Sequence, residues 1–430
     1  MTFFIHTFGC QMNVNDSEKM ASVLSRGGMR PVERVADARV VVVNSCAVRA
    51  KAREKALSFI GRLHPDQIVI LAGCVSQAEK EQLLTRHRRI DFLVGTHQFH
   101  CLDHIVAGLL QSRHRGASLG FSRRWTELVP DAFARSSSVT AYVSIMEGCD
   151  NFCSYCIVPF TRGREKNRPG RDILAEARSL ADQGYREIVL LGQNVNHWIC
   201  PESQETFPSL LDRLASVADV QWIRFITSYP GYHDSRLVRV VASHDRIARH
   251  IHLPAQSGST RILRRMNRNY SREEYLKIIS QYRRAIPRMR FSSDFIVGFP
   301  GETEKDFMAT LSLLRKVEYE SVFSFAYSSR PLTRAQAWGD DVPREVKRER
   351  LRILQQLQEE IQCRRNRALI GSEQDVLVMA PHPSAVKEVI ARTESYRVVN
   401  LESRMPPGSS IRVRITAAGP HSLRGVEVRN

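Results

Sequence analysis

Continuous apolar runs alternate with amphipathic stretches over the first hundred residues of the chain. Three of these runs end on a cysteine: FFIHTFGC (3–10), ARVVVVNSC (38–46) and QIVILAGC (67–74). Helical segments separate them, including 17–25, which Asn15 is predicted to cap together with Glu18. Because unbroken apolar strands that alternate with helices are typical of a parallel sheet, this part predicts a doubly wound α/β fold. Its three cysteines are expected at the carboxyl ends of the strands, where such sheets bind ligands.

A basic, serine-rich stretch between about residues 111 and 138 indicates a linker between domains. Beyond it, apolar strand candidates alternate with helical segments, for example 172–183, 235–243, 272–285 and 304–317. The six strand candidates are 140–148, 186–194, 220–228, 249–257, 290–299 and 321–329. Six consecutive βα units predict an incomplete version of the eightfold barrel, with its active site at the carboxyl ends of the strands.

The pattern changes again after a long charged helix predicted from Arg344 to about Leu369. Short alternating segments joined by Pro and Gly turns then predict a small β-barrel of about 60 residues. These segments are 374–380, 387–395, 396–402, 410–419 and 422–429. We therefore expect three domains: an α/β domain over 1–125, a partial barrel over 136–368 and a small β-barrel over 369–430.

The composition narrows the possible partners and compartments. With 63 Lys and Arg against 45 Asp and Glu, the 430-residue chain carries a formal charge of +18. This excess favours a polyanionic partner such as nucleic acid, although such charges also solvate amphipathic helices. No apolar run approaches the roughly 18 residues of a membrane span, and the start does not resemble a secretion signal, so we expect a cytoplasmic protein. Nine cysteines then favour metal or redox chemistry over a disulfide framework.

Three cysteines lie close together in GCDNFCSYC (148–156), immediately after the first strand of the predicted partial barrel. A structural zinc site closes with four ligands and a catalytic one keeps three plus water, but no further Cys or His stands nearby in the sequence. Three thiolates would instead leave one iron of a 4Fe-4S cluster without a protein ligand and open to a substrate. Cys149, Cys153 and Cys156 are therefore the predicted ligands of such a cluster.

Cys10, Cys46 and Cys74 make a second set of three. From the residues alone two interpretations stay open: the thiols share a cofactor, or they are buried free cysteines, which are common. A further group contains His97, His100, Cys101 and His104. For this group a surface helix with histidines is favoured over a metal site.

The Cys-x-x-x-Cys-x-aromatic-Cys motif after the first barrel strand resembles that of the radical S-adenosylmethionine superfamily. The resemblance implies that the open iron chelates S-adenosylmethionine, whose reductive cleavage gives a 5′-deoxyadenosyl radical. Further segments resemble the methylthiotransferases, namely TFGCQMNVNDSE, NSCAVRAKAREK, GCVSQ, LLGQNVN, RFITSYP, LPAQSGSTRILRRMNRNY, DFIVGFPGET and FAYSSRP. The similarity continues into a terminal RNA-binding barrel of the TRAM type, so it covers essentially the whole chain.

This family resemblance implies a second 4Fe-4S cluster on Cys10, Cys46 and Cys74, with an open iron that carries the inserted sulfur. GCQMN around Cys10 is the form of the branch that acts on tRNA isopentenyladenosine. The ribosomal-protein branch usually has GCPKN and the threonylcarbamoyladenosine branch GCKVN. The resemblance thus predicts transfer of a methylthio group to carbon 2 of the isopentenyladenosine beside the anticodon. The alternatives are another tRNA adenosine, a ribosomal protein aspartate and, outside enzymes, a zinc-stabilised RNA-binding protein.

Polar residues at the ends of later barrel strands are the predicted S-adenosylmethionine contacts: Gln193, Ser228, Gln256 and Asp294. For Ser228 and Asp294 the alternative is a cap on the following helix. Arg412 and Arg414 alternate on one strand and are predicted to face RNA phosphates, with ordinary solvated residues as the alternative.

The expected partners follow from the same resemblance. They are the tRNA anticodon stem-loop, an electron donor such as a flavodoxin or ferredoxin, and a sulfur donor or cluster carrier; no membrane is expected. The chain departs from the family pattern at Asn167, at Tyr229 and in RPLTRA (330–335). None of these positions is a predicted cluster ligand.

Overall fold

The computed structural model describes residues 1–217 and 220–428. Within these ranges the first domain contains a parallel sheet with the order β2-β1-β3-β4-β5-β6. Its strands are β1 (Thr2–Phe8), β2 (Arg30–Pro31), β3 (Val40–Ser45), β4 (Ile68–Ala72), β5 (Phe92–Val94) and β6 (Gly116–Ser118). Its helices are α1 (Gln11–Arg26), α2 (Ala50–Ile60), α3 (Cys74–Glu79), α4 (Gln82–Arg86) and α5 (Leu102–Gln111). Alternate residues of β3 pack against helices on opposite faces of the sheet, which confirms the doubly wound fold.

The predicted start of the first helix is wrong. Helix α1 begins at Gln11, because the backbone N–H and the thiol of Cys10 both donate to Asn13 Oδ1, at 3.2 and 3.4 Å. Asn15 therefore lies inside the helix instead of capping it. Its Nδ2 donates to the Tyr142 carbonyl at 3.2 Å, and its Oδ1 accepts from Ser144 Oγ at 2.6 Å. The predicted cap is thus a buried contact between the first and second domains.

The stretch predicted as a linker is held against both domains. Strand β6 adds to the first sheet, and Asp131 pairs with Arg26 at 2.7 Å. Glu18 accepts from the backbone N–H and the hydroxyl of Ser136 at 2.9 and 2.7 Å. Arg135 pairs with the buried Glu176 of the second domain at 2.9 Å, so polar side chains anchor the predicted linker to both domains.

All six predicted strands of the second domain form. They lie in two parallel sheets, β7-β10-β11 and β12-β13-β14, with a small antiparallel pair β8-β9. The strands are β7 (Thr140–Ser144), β8 (Met146–Glu147), β9 (Lys166–Asn167), β10 (Glu187–Leu191), β11 (Trp222–Phe225), β12 (His250–His252), β13 (Arg290–Val297) and β14 (Ser321–Ala326). A parallel bridge between Ile223 and Ile247 joins the two sheets, so the described strands form the predicted partial barrel.

The helices of this domain follow its strands, and most of them pack on the outside of the barrel. They are α6 (Val158–Thr161), α7 (Gly170–Asp182), α8 (Phe207–Val217), α9 (Ser235–Ser243), α10 (Thr260–Arg265), α11 (Arg272–Ala285), α12 (Glu304–Val317) and α13 (Arg344–Arg367). Ile188 and Leu190 of β10 pack in the core beneath them, whereas Val189 and Leu191 point to the opposite face and contact Met12. The first domain therefore lies against the inner face of the partial barrel.

The longest helix, α13, carries charges along most of its length and packs through Leu354 and Ile361. It ends two residues before the predicted Leu369. Within residues 1–217 and 220–428, no helix combines the length and the apolar character that crossing a membrane requires.

The third domain is a closed barrel in the order β15-β16-β17-β19-β18, as the alternating segments predict. Its strands are β15 (Glu373–Pro381), β16 (Glu388–Thr393), β17 (Val398–Glu402), β18 (Ser410–Ala418) and β19 (Ser422–Glu427). Val376, Val399 and Val413 are buried in its core. The last residue of the predicted final segment, Arg429, lies outside the described residues.

The turn between β16 and β17 closes the partial barrel at the amino ends of its strands. Arg224 is fully buried there, with its guanidinium 4.9 Å from the Trp222 ring centroid and 4.2 Å from that of Tyr396. Its Nε donates to Glu187 Oε1 at 2.5 Å, and Nη2 donates to the Thr393 carbonyl at 3.2 Å. Because Glu187 and Trp222 begin their strands, the small barrel closes the end opposite the one where enzymes of this architecture carry out chemistry.

Replacing Tyr396 by Ala is expected to loosen this junction. The substitution removes an aromatic ring that packs on two arginines, and we expect a loss of about 3 kcal/mol in the free energy of unfolding. Urea unfolding measures the change, with Val386→Ala in an exposed turn of the same barrel as the control. Equal stability of the two variants would contradict the assigned role of Tyr396.

Candidate active site

The first cysteine triad lies in the loop that follows β8, at the carboxyl end of the first barrel strand. Gly148 starts the loop with φ +80°, and a Cβ at this position would lie 2.1 Å from the Arg164 carbonyl oxygen. Only glycine fits this close approach. The backbone N–H of Cys149 donates to the Gly163 carbonyl at 3.2 Å, and that of Cys156 donates to the Cys153 carbonyl at 2.9 Å. The loop is therefore folded back on itself with its three thiols close in sequence and partly or fully buried.

Two side chains from later in the barrel donate hydrogen bonds to these thiols. Asn194 Nδ2 lies 3.2 Å from Cys149 Sγ, and Nη1 of the buried Arg268 lies 3.7 Å from Cys153 Sγ. Burial raises the pKa of the Cys149 and Cys156 thiols. At Cys149 the hydrogen bond from the Asn194 amide offsets part of this rise. A bound metal deprotonates coordinating thiols outright, so donors aimed at the sulfurs fit thiolate ligands.

The four predicted S-adenosylmethionine contacts lie along the later strands. Gln193 and Ser228 follow β10 and β11, and each holds a buried side-chain oxygen without a hydrogen-bond partner among the described residues. Gln256 has φ +67°, and its backbone N–H donates to the Asp294 carbonyl at 2.8 Å. Asp294 lies in the middle of β13, not at its end.

The alternative role as helix caps is wrong for Ser228 and Asp294. The side chain of Asp234 caps α9, and that of Thr303 caps α12.

A buried oxygen without a partner costs about 1–3 kcal/mol, so Gln193 and Ser228 are typical of a site completed by a polar ligand. The residues present therefore fit a polar ligand that can donate hydrogen bonds to these oxygens.

The structure brings the second triad together at the ends of three neighbouring strands. Cys10 follows β1, Cys46 follows β3 and Cys74 begins α3 after β4. Gly73 has φ +87°, and a Cβ there would lie 2.2 Å from Asn44 Oδ1, which explains the glycine before Cys74. A hydrogen bond with Cys46 lowers the pKa of Cys10 to about 6, whereas burial raises that of Cys74. The three thiols therefore lie at one edge of the sheet, where they influence one another's pKa.

An arginine of the second domain contacts the first-domain triad. Arg162 follows Cys156 by six residues, is buried, and forms an ion pair with Asp16 of α1. Its guanidinium also hydrogen-bonds the Cys74 side chain, and its charge lowers the pKa of Cys10. The first-domain triad thus has a buried cation that the second domain supplies.

His97 does not belong to a surface helix, contrary to the sequence prediction. It is buried in a turn before α5, where its Nε2 lies 3.0 Å from the Arg162 carbonyl and its Nδ1 accepts from the Ser122 N–H at 3.0 Å. Across the described ranges, no set of three or more His, Cys, Asp or Glu side chains is arranged around a single metal ion. The cysteines of a 4Fe-4S cluster bind different irons, so their sulfurs lie further apart than the ligands of one ion.

Sequence reasoning missed the residues that contact the thiols. Asn194 and Arg268 lie within LLGQNVN and RRMNRNY, two segments that resemble the methylthiotransferases. That resemblance was the only sequence feature that pointed to these two residues. The ion pair of Asp16 with Arg162 joins residues 146 positions apart and had no local signal.

The structure shows the surroundings of Tyr229, of the RPLTRA segment and of Asn167, where the chain departs from the family pattern. The buried Tyr229 ring lies 4.3 Å from the Arg268 guanidinium, and its hydroxyl accepts from the Asn269 N–H at 3.1 Å. Arg330 of RPLTRA donates to the Val48 carbonyl at 2.9 Å, close to Cys46. Asn167 on β9 holds a buried Oδ1 without a partner among the described residues.

The predicted RNA-facing arginines share one exposed face of the small barrel. Arg412 pairs with Asp375 and Arg414 with Glu373, both at 3.0 Å, between strands β18 and β15. Exposed pairs of this kind contribute little to stability. The arginines therefore remain available to an anionic partner that displaces the carboxylates.

Comparison with known protein families divides the chain in the same order as the fold. Residues 2–95 match the model described as uncharacterized protein family UPF0004, residues 143–314 match the radical SAM superfamily, and residues 367–428 match the TRAM domain.

Curated relatives match over nearly the full length. A protein of Geotalea uraniireducens is 42% identical over 98% of both chains. One of Desulfosudis oleivorans is 41% identical over 99% of this chain and 96% of its own, and one of Ralstonia pickettii is 41% identical over 98% and 96%. All three are named tRNA-2-methylthio-N(6)-dimethylallyladenosine synthase.

Solved structures share the fold at low identity. The radical S-adenosylmethionine methyltransferase TsrM from Kitasatospora setae superposes with a TM-score of 0.55 at 14% identity, over 78% of this chain and 76% of that one. The cobalamin-dependent S-adenosylmethionine radical enzyme OxsB gives 0.52 at 10% identity, over 84% of this chain and 56% of that one. These similarities concern the fold alone.

Proposed function

Because this chain belongs to the family of radical S-adenosylmethionine methylthiotransferases, enzymes that modify tRNA, we propose that it transfers a methylthio group to carbon 2 of isopentenyladenosine beside the anticodon. The observation that carries the proposal is the identity of 41–42% along the full chain to relatives named for that product. The GCQMN sequence around Cys10 agrees with it.

In this proposal Cys149, Cys153 and Cys156 hold a 4Fe-4S cluster, and S-adenosylmethionine binds its open iron. Gln193 and Ser228, whose buried oxygens lack partners within the described residues, would hold that ligand together with Gln256 and Asp294. When bound, the two groups supply a radical able to remove the weakly acidic hydrogen from carbon 2 of adenine. Asn194 and Arg268 orient the cysteine sulfurs and limit the access of water to them.

Cys10, Cys46 and Cys74 are the proposed ligands of a second 4Fe-4S cluster, which carries the sulfur to be inserted. The chain supports such an anionic site with the buried Arg162 guanidinium, which contacts Cys74 and pairs with Asp16. Met12 packs on Val189 and Leu191 and thereby holds this triad against the inner face of the partial barrel. The substrate base has to reach both triads from that inner space.

The net charge of +18 and the TRAM match support tRNA as the substrate. A loop adenosine beside the anticodon is already unpaired, so its extrusion costs less than flipping a base from a duplex. We assign Arg412 and Arg414 to phosphate contacts. The reaction also needs an electron donor such as a flavodoxin or ferredoxin and a sulfur donor or cluster carrier, and the proposal locates it in the cytoplasm, where tRNA is found.

The direct test compares three substrates with anaerobically reconstituted enzyme, reductant and S-adenosylmethionine. These are an anticodon stem-loop with isopentenyladenosine, one with threonylcarbamoyladenosine, and a ribosomal protein with its target aspartate. Mass spectrometry is expected to detect the methylthio group only on the isopentenyladenosine RNA. Modification of either other substrate in its place would overturn the assignment.

Replacing Gln193 by Ala is expected to weaken S-adenosylmethionine binding about tenfold, because one buried hydrogen bond is lost. Iron content should stay unchanged, since Gln193 is not a proposed ligand of either cluster. Calorimetry measures the affinity, and Gln183→Ala at the exposed end of α7 serves as the matched control. Unchanged affinity would remove Gln193 from the site.

A further inference from the structure

The inner face of the last barrel strand carries two exposed phenylalanines. Phe323 is 48% exposed and Phe325 is 37% exposed, although both lie within β14. The intervening Ser324 hydrogen-bonds Gln355 of α13, and Val322 packs on the core, so these residues face the helices. Strand alternation therefore turns both phenyl rings toward the barrel interior. We call Phe323 and Phe325 the phenylalanine strip.

Polar groups border the strip on the neighbouring strands. The Phe323 ring centroid lies 6.1 Å from that of His252, and Asp294 is the register partner of Phe323 on β13. His252 Nε2 lies 3.4 Å from Asp294 Oδ2, and its Nδ1 lies 2.9 Å from Ser292 Oγ. The surface thus combines an apolar strip with a polar margin, which suits a ligand with an apolar branch on a polar ring.

The strip also lies between the two parts of the proposed active site. At one side it adjoins Asp294, one of the proposed S-adenosylmethionine contacts. At the other, the loop after β14 reaches the first domain, where Arg330 donates to the Val48 carbonyl near Cys46. Among the described strands β14 pairs only with β13, so the strip lies at the open side of the partial barrel. A base that enters from this side passes over the strip.

We propose that Phe323 and Phe325 bind the dimethylallyl branch of the substrate adenosine and thereby select prenylated over unmodified tRNA. This inference rests on the proposed function, in which a five-carbon apolar branch has to leave water as the base enters. Adjacent exposed aromatic rings on a concave inner face mark a binding surface rather than scattered surface residues. The polar side chains of His252 and Asp294 beside the strip are then free to contact the polar edge of the base.

The test measures binding of two anticodon stem-loop RNAs that differ only in the dimethylallyl group. The full-length reconstituted protein with S-adenosylmethionine is titrated with each RNA. For Phe323→Ala and Phe325→Ala we expect about tenfold weaker binding of the prenylated RNA and unchanged binding of the unmodified RNA, because apolar contact area alone is lost. Phe323→Leu keeps an apolar side chain and should retain most of the preference.

Phe133→Ala is the matched control, since Phe133 is 62% exposed in the segment between the first two domains, and it should alter neither affinity. An equal loss for both RNAs, or no loss for either, would overturn the role of the strip. If the wild-type protein makes the methylthio product while the alanine variants keep its full preference, only this inference fails. If the wild-type protein makes no such product and binds both RNAs equally, the proposed function fails as well.

Discussion

Replacing Cys10, Cys46 and Cys74 together by alanine is expected to abolish methylthio transfer while S-adenosylmethionine cleavage continues. The two triads lie on separate elements: the first-domain thiols end β1, β3 and β4, whereas the other triad lies in one loop after β8. Removal of one set therefore leaves the ligands of the other in place. Iron in anaerobically purified protein should fall from about eight to about four atoms per chain, with acid-labile sulfide falling in proportion.

The control for this experiment replaces Cys101 and Cys363, which are partly exposed and lie outside both triads. It should keep the iron content and the activity of the wild-type protein. Zinc with little iron in the wild-type protein would contradict the two-cluster account and favour a zinc-stabilised RNA-binding protein. Unchanged iron in the triple variant would show that these thiols bind no cluster.

Replacing Arg162 by Leu is expected to destabilise the protein by about 3–5 kcal/mol, because it leaves the buried Asp16 carboxylate without its partner. One carboxylate oxygen of Asp16 already lacks a hydrogen-bond partner among the described residues, so no other donor replaces the guanidinium. We also expect loss of iron from the first-domain triad, since Arg162 contacts Cys74. Thermal unfolding and iron analysis measure the two effects separately.

The double variant with Asp16→Leu and Arg162→Leu separates stability from chemistry. Removing both charges should recover most of the stability, whereas the iron of the first-domain triad should stay low. Arg164→Leu is the matched control, since Arg164 pairs with Asp150 at the surface and should change little. A single Arg162→Leu variant with wild-type stability and iron would refute the role of this residue in supporting the first-domain triad.

Local pattern was sufficient to predict most of the fold. The periodicity of apolar residues predicted the helices Ser235–Ser243, Arg272–Ala285 and Glu304–Val317 to the residue, because each begins at a capping side chain and buries one face. The strands of the partial barrel and of the small barrel were also found, since their apolar runs are bounded by turn residues.

Contacts between distant segments account for what the sequence did not predict. Helix α1 starts at Gln11 because Cys10 and Asn13 form a capping box, while Asn15, the predicted cap, makes contacts between domains. In the sequence Arg224 is a charged residue within an apolar strand, and nothing local explains its burial. The structure explains it, because the turn at Tyr396 packs on the guanidinium. Local pattern placed each thiol after a strand, whereas Asn194, Arg268 and Arg162, which contact thiols of the two triads, come from elsewhere in the chain.

The first domain and the small β-barrel pack on different parts of the partial barrel. The small β-barrel closes the amino end of the partial barrel through Arg224 and Tyr396, and the first domain places Met12 against the inner face. Both cysteine triads follow the carboxyl ends of their strands. In the proposed function, the open side bordered by β14 is the route by which the nucleoside enters.

The most direct test of the central claim is the nucleoside composition of tRNA from a bacterial strain that makes isopentenyladenosine but lacks its own methylthiotransferase. Expression of this chain is predicted to convert isopentenyladenosine into its 2-methylthio form, as seen by liquid chromatography and mass spectrometry, and the Cys153→Ala variant should leave it unconverted. Persistence of unmodified isopentenyladenosine in cells that contain the iron-loaded wild-type protein would contradict the account.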